Sequence, residues 1–148
     1  MSVTDIRPVK DALRRKHREW REKLTKEEKL QLDTAIAKQV RRLWQYQRSA
    51  TLLTYVSTPI EVDTRRIIHQ ALEDGKRVAV PRCVPGTRQM EFYYIGSEEM
   101  LSPGSFGVLE PDPLCCERLT DMSDGLCIVP AFSYDWQGFR LGYGKGYY

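Results

Sequence analysis

The chain has little of what small catalytic or metal-binding domains usually display. Only four cysteines occur in 148 residues, Cys83, Cys115, Cys116 and Cys127, and none is spaced Cys-x-x-Cys. A disulfide or zinc framework is therefore not indicated. The two histidines, His17 and His69, lie in segments of helical periodicity without a partner His or Cys at helical spacing. Both read as surface or boundary residues, and neither a Ser-His-Asp nor a Cys-His arrangement can be built from these spacings. No apolar run approaches the roughly 18 residues of a membrane helix, and the N-terminus is charged rather than a signal-peptide core, so the expected location is the cytosol, without a membrane partner. Internal repeats are absent. A Walker A loop is missing, because Gly146 follows Gly144-Lys145, and Gly142-x-Gly144-x-Gly146 fails the Gly-x-Gly-x-x-Gly spacing.

What is present suffices for one core. With 41% hydrophobic residues, a single domain over residues 1–148 is expected, and the Pro85-Gly86 and 103–113 stretches read as loops inside it. Charge is uneven: residues 1–50 hold 14 Lys and Arg against 7 Asp and Glu, whereas the remainder is net acidic. Such a basic head suits nucleic acid, an acidic lipid surface or an anionic small molecule, or is simply a solvated helix face.

Residues 5–23 carry thinly spaced apolar positions, Ile6, Val9, Leu13 and Trp20, which predicts a helix with one face resting on a core. Thr25-Lys-Glu-Glu28 is a capping box, and the stripe Leu30, Ala37, Val40, Leu43 and Trp44 extends a second helix to about Gln47. At Thr51 the period changes. Thr51–Ser57 reads as an interior strand. Asp63 or Thr64 caps a helix through Ile67, Ile68, Ala71 and Leu72, with Gly75 as its stop, and Arg77–Pro81 is the next strand. Strand, helix and strand make a βαβ unit with parallel strands. Met90–Ile95 reads as a further strand, Ser97-Glu-Glu as a short capped turn, and Leu126–Pro130 as another buried strand. The expectation is an α/β domain whose ligands bind beyond the strands' carboxyl ends, where the loops after Val56 and Val129 begin.

The second of those loops leads into Arg140-Leu-Gly-Tyr-Gly-Lys-Gly-Tyr-Tyr148, which alternates glycines with a cation and aromatics and ends without a predicted helix or strand. Bare amides, two cations and flanking rings suit phosphate plus a flat heterocycle. The same alternation also occurs in plain turns and tails.

Taken in order, Lys10–Arg14, Ser57–Thr64, Gly75–Arg82, Met90–Tyr93, Phe106–Pro111, and Val129-Pro130 through Gln137–Tyr148 resemble the 5-formyltetrahydrofolate cyclo-ligase (methenyltetrahydrofolate synthetase) family. The resemblance implies a layered α/β/α fold with a mainly parallel, Rossmann-like sheet preceded by two N-terminal helices. It also implies an ATP- and Mg2+-dependent ligase that cyclises 5-formyltetrahydrofolate to 5,10-methenyltetrahydrofolate and releases ADP and phosphate. Phosphoryl transfer to the formyl oxygen would give an iminium phosphate that N10 attacks, so alignment and charge stabilisation are needed rather than a protein nucleophile.

By the same resemblance Lys10 and Arg14, at i and i+4 on one helix face, contact ATP together with Arg140, Leu141, Gly142, Tyr143, Gly144, Lys145, Gly146, Tyr147 and Tyr148. Lys145 and Arg140 would be catalytic, as stabilisers of charge on the transferred group. Val56, Glu61, Tyr143 and Tyr147 would bind the folate, the Glu61 carboxylate accepting pterin N–H donors. Ala131 stands where the family usually has glycine. The family pattern continues past Tyr-Tyr with a magnesium-binding aspartate, a helix and strands, so the chain is expected to be truncated at its C-terminus, with no metal ligand of its own. The partners expected are the two small molecules acting on a monomer. The rival readings are a non-catalytic folate- or nucleotide-binding module, or an RNA-binding protein using Arg41, Arg42 and Arg48.

Overall fold

Two helices open the chain, α1 (Arg7–Glu22) and α2 (Lys26–Arg42), in a computed structural model that describes residues 4–104 and 107–148. Phe106 of the family-like motif thus lies outside the described residues. The capping box at the start of α2 is formed: Thr25 Oγ1 accepts the Glu28 amide and Glu28 Oε1 accepts the Thr25 amide, both at 3.1 Å. The expected continuation to Gln47 is broken. Leu43 turns extended (ψ 134°) and a short α3 (Trp44–Arg48) restarts after it. The break exposes Leu43 and Trp44 and buries Tyr46 instead, whose hydroxyl donates to Asp74 Oδ2 at 2.7 Å.

The sheet follows. β1 (Thr51–Thr54), helix α4 (Arg65–Glu73) and β2 (Arg77–Cys83) form the anticipated βαβ unit, with β1 and β2 parallel and Leu52 opposite Val78. β1 stops at Thr54, short of Ser57, because the backbone beyond it turns into the loop that carries Val56 and Glu61. β3 (Met90–Ile95) returns antiparallel to β2. After a 3-10 turn (Glu98–Met100) that Ser97 does not cap with its side chain, β4 (Leu101–Pro103) pairs antiparallel with β5 (Leu109–Pro111). β6 (Gly125–Ile128) joins β1 in parallel, giving the strand order β3-β2-β1-β6. The mainly parallel sheet is as expected.

Side chains alternate across it. Leu52, Val78, Val80, Tyr93 and Ile95 meet Ile67, Ile68 and Ala71 of α4 and Ala37 of α2 on one face, while Leu53, Ala79 and Phe92 meet Leu119 on the other. Two expectations about packing fail. β6 is not a buried strand, since Cys127 is exposed and Leu126 and Ile128 are half-buried; among the described strands only β1 borders it. Nor does α1 rest its apolar stripe on the core: Ile6, Val9, Leu13 and Trp20 are all exposed. α1 is instead held by its arginines.

Candidate functional site

Because β1, β2 and β6 run parallel, their carboxyl ends meet at one edge of the sheet, and a cavity of about 450 Å3 opens there. Tyr55, Val56 and Glu61 line it from beyond β1, Pro81 and Cys83 from β2, Pro130 from beyond β6, and Glu110 from β5. This is the crevice that an open α/β sheet offers to ligands.

The loop after β1 is folded on its own side chains. Thr64 occupies the N-cap position of α4 but does not cap it. Its hydroxyl donates to Tyr55 O at 2.7 Å and accepts the Ser57 amide at 3.0 Å, while Asp63 Oδ1 takes the Arg65 amide at 2.9 Å. Glu61, only 8% exposed, is anchored on both oxygens. Oε1 accepts from the Thr58 amide (2.9 Å) and hydroxyl (2.8 Å), and Oε2 accepts from Tyr143 Oη (2.9 Å).

The glycine-rich segment is neither a tail nor devoid of strand. Its first two residues are β8 (Arg140–Leu141), which pairs with β7 (Ser133–Tyr134) around a turn closed by Asp135 Oδ1 on the Gln137 and Phe139 amides. From there the segment crosses the cavity as a strap. Arg140 Nη1 donates to Pro130 O at 2.6 Å, Gly142 O accepts from Arg14 Nε at 2.8 Å, Tyr143 reaches Glu61, and Tyr147 Oη donates to Thr87 O at 3.2 Å in the turn between β2 and β3. Gly144 takes φ +82°, and a Cβ there would stand 3.3 Å from the Arg14 guanidinium carbon. The positive φ favours glycine at this point, and a Cβ would press on the Arg14 guanidinium, which would have to give by a few tenths of an ångström.

Of the residues singled out in the sequence, Val56, Glu61, Arg140, Gly142, Tyr143, Gly144, Lys145, Gly146, Tyr147 and Tyr148 line the cavity. Arg14 touches the strap from outside. Leu141 faces away as a hairpin residue, its carbonyl accepting the Phe132 amide at 2.8 Å. Lys10 is exposed on α1 and is not part of the cavity wall.

Sequence reasoning missed three groups. Arg21 Nη2 donates to Ala131 O (2.7 Å) and Phe132 O (3.0 Å), and its Nη1 to Ile60 O (3.4 Å), so one guanidinium ties the loop after β1 to the loop after β6. Phe132 is sandwiched: Arg18 and Arg21 approach its ring at 5.2 and 5.5 Å, and Tyr143 packs tilted on it at 4.4 Å. Arg14, Arg18 and Arg21 fall at i, i+4 and i+7, a one-face spacing that could have flagged all three. The third is Glu110, a lone carboxylate inside the apolar run Val108-Leu-Glu-Pro111 and only 9% exposed.

Electrostatically the cavity is mixed, with Arg18, Arg140 and Lys145 facing Glu61 and Glu110. Burial, reinforced by Glu61, pushes the Tyr143 phenol up to about 12, so it stays a neutral donor. Burial and then Glu110 push the Cys83 thiol up, which makes it a poor nucleophile. The wall therefore offers cations, donors, rings and carboxylates. Among the described residues no group of three His, Cys, Asp or Glu side chains is placed to hold a metal ion. Of the three arginines named for nucleic acid, Arg41 is bidentate on Asp74 and Arg48 lies over Trp44 at 5.6 Å.

Residues 6–148 match the profile of the 5-formyltetrahydrofolate cyclo-ligase family. The chain is 37% identical over 117 residues to a "probable 5-formyltetrahydrofolate cyclo-ligase" of Schizosaccharomyces pombe, covering 77% of this chain and 57% of the relative. It is 30% identical over 152 residues to a protein of the same description from Caenorhabditis elegans, covering 99% and 73%. The solved structure of 5,10-methenyltetrahydrofolate synthetase from Aquifex aeolicus superposes with a TM-score of 0.80 at 28% identity, over 94% of this chain and 69% of that one. The chain thus spans little more than half the length of its Schizosaccharomyces pombe relative and about three quarters of the Caenorhabditis elegans one. It belongs to the 5-formyltetrahydrofolate cyclo-ligase family.

Proposed function

We propose that this member of the cyclo-ligase family converts 5-formyltetrahydrofolate to 5,10-methenyltetrahydrofolate with ATP, releasing ADP and phosphate. The observation that carries the reading is the strap: one segment supplies Arg140 and Lys145, places bare glycine amides along the cavity, and docks Tyr143 on the buried Glu61 of the opposite loop. A phosphate chain suits the cationic, amide-rich half and a donor-rich pterin suits the carboxylate half.

The formyl oxygen takes the γ-phosphoryl group, breaking the bond to ADP and making the formyl carbon an iminium phosphate. The N10 lone pair then attacks that carbon, the new C–N bond forms as the C–O bond to phosphate breaks, and N10 gives up its proton. Both steps need positioned charge rather than a nucleophile. Lys145 and Arg140 stabilise negative charge on the transferred group, the Gly142, Gly144 and Gly146 backbone lies against the phosphates, and Glu61 accepts pterin N–H donors beside Val56. Tyr143 and Tyr147 offer ring faces to the heterocycles. Arg14 acts by holding the strap through Gly142. The protein works as a cytoplasmic monomer, with ATP presented as its magnesium complex.

The test is a spectrophotometric assay of the purified full-length protein. A rise in near-ultraviolet absorbance from the methenyl product, requiring 5-formyltetrahydrofolate, ATP and Mg2+ together, is expected. No rise under those conditions would sink the reading.

A further inference from the structure

α1 turns three arginines toward the site, and two of them are engaged with the protein itself. Arg14 donates to Gly142 O and Asp11 Oδ1, and Arg21 to the carbonyls of Ile60, Ala131 and Phe132. Arg18, between them on the same face, lines the cavity and lies over the Phe132 ring at 5.2 Å. Among the described residues it donates to no oxygen and pairs with no carboxylate. A ring attracts the charge but does not accept the five N–H donors as oxygens would. The guanidinium is always charged, so the cavity holds a cation whose hydrogen-bonding fork these residues leave unused.

The position of Arg18 decides which anion that fork meets. Tyr143 packs on Phe132 at 4.4 Å and donates to Glu61 at 2.9 Å, so Glu61, Tyr143, Phe132 and Arg18 follow one another by contact. Arg140 and Lys145, assigned above to phosphate, belong to the strap. Arg18 comes from α1 instead and is exposed, as a residue at the cavity mouth is. Among the described residues it is the remaining cation of the wall. A folate laid with its pterin on Glu61 carries its p-aminobenzoyl group outward and ends in a glutamate with two carboxylates. An arginine fork matches a carboxylate through two parallel N–H···O bonds.

Resting on the folate reading above, we infer that Arg18 is a further substrate-binding residue, which takes a carboxylate of the folate's glutamate tail at the mouth of the cavity. Glu61 then selects the pterin end and Arg18 the acidic end, so the two together fix the direction in which the substrate lies. ATP and the pterin ring gain nothing from Arg18.

The experiment compares wild type and Arg18→Gln in the full-length protein. The measurements are equilibrium binding of 5-formyltetrahydrofolate, of 5-formyltetrahydropteroate, which lacks only the glutamate, and of ATP alone, together with the melting temperature. Wild type is expected to bind the folate about five- to tenfold tighter than the pteroate, the size of a charge-assisted pair at a half-open site. Arg18→Gln is expected to bring that preference to within about twofold of unity, with pteroate and ATP affinities unchanged within about twofold. A wild type that does not prefer the folate overturns the assignment, as does a wild-type preference kept by Arg18→Gln. Equal losses for folate and pteroate, or a matching loss for ATP, overturn it too, because the arginine then serves the pterin, the fold or the phosphates. If Arg18→Gln melts early, Arg18→Met, whose thioether still packs on Phe132, decides by the same criteria. Wild type that binds neither folate nor pteroate overturns the underlying reading instead, so the two failures are distinguishable.

Discussion

Tyr143 donates a hydrogen bond to Glu61 Oε2 at 2.9 Å across 82 residues of sequence, joining the glycine strap to the loop after β1. Tyr143→Phe keeps the ring on Phe132 and removes only the donor. A loss of about 1–2 kcal/mol is expected, a fall of roughly 2–8 °C in melting temperature. An unchanged melting temperature would show that the bond does not hold the strap.

The same phenol gives a pH prediction. Its folded pKa, about 12, lies above the ordinary tyrosine value of 10.0. The neutral form is thus the one favoured by folding, so its stabilisation is complete below pH 10 and is lost as pH rises from 10 to 12. In a titration of phenolate absorbance, Tyr143→Phe should remove one late-titrating group and flatten the alkaline loss of stability over that window. An unchanged late phase would place Tyr143 outside it.

Arg21 holds three carbonyls from two loops. Arg21→Ala should raise amide exchange at residues 58–61 and 131–132 together and destabilise by about 2–3 kcal/mol. Arg21→Lys, unable to span both loops with one planar fork, should restore little of either. Loosening of one loop only would refute the bridging role.

Lys145 is exposed on the strap. Lys145→Ala should lower kcat by about a hundredfold or more, the usual size for a preorganised charge stabiliser, while the melting temperature moves by about 1 °C. Parallel losses of rate and stability would count against a direct role.

Gly144 sits at φ +82° under the Arg14 guanidinium. Gly144→Ala should cost about 1–2 kcal/mol through the left-handed backbone alone and also loosen Arg14 from Gly142. Thermal unfolding of that variant beside Gly138→Ala, which has equally positive φ but open space around it, separates conformation from contact.

The βαβ unit, the capping box at Thr25 and the β3 strand were legible in the sequence because each is set by neighbours within a few residues: β-branched runs, a Thr-x-x-Glu spacing, a glycine stop. The candidate site was half legible. Arg140 and the residues after Leu141 announce themselves by alternation, and Glu61 only through the family resemblance. Arg21 and Glu110 do not, because an arginine on a basic helix and an acid in a short strand acquire meaning only from the carbonyls and amides that tertiary contacts bring to them. The α1 stripe misled for a related reason: its periodicity is genuine, but the groups that dock the helix are its arginines, and periodicity carries no information about carbonyls in distant loops.

The sequence by itself therefore determined the βαβ unit, β3, the capped start of α2 and the chemistry of the strap, since local propensity and residue type settle those, but not the break at Leu43 or the short strands β4, β5, β7 and β8. Only the tertiary structure decided that the strap crosses the carboxyl ends of β1, β2 and β6, that Tyr143 closes on Glu61, and that Lys10 and Leu141 stand away from the cavity. Parallel strands bring their ends together whatever the distance along the chain, and a polar group's partner is chosen by that proximity rather than by its position in sequence.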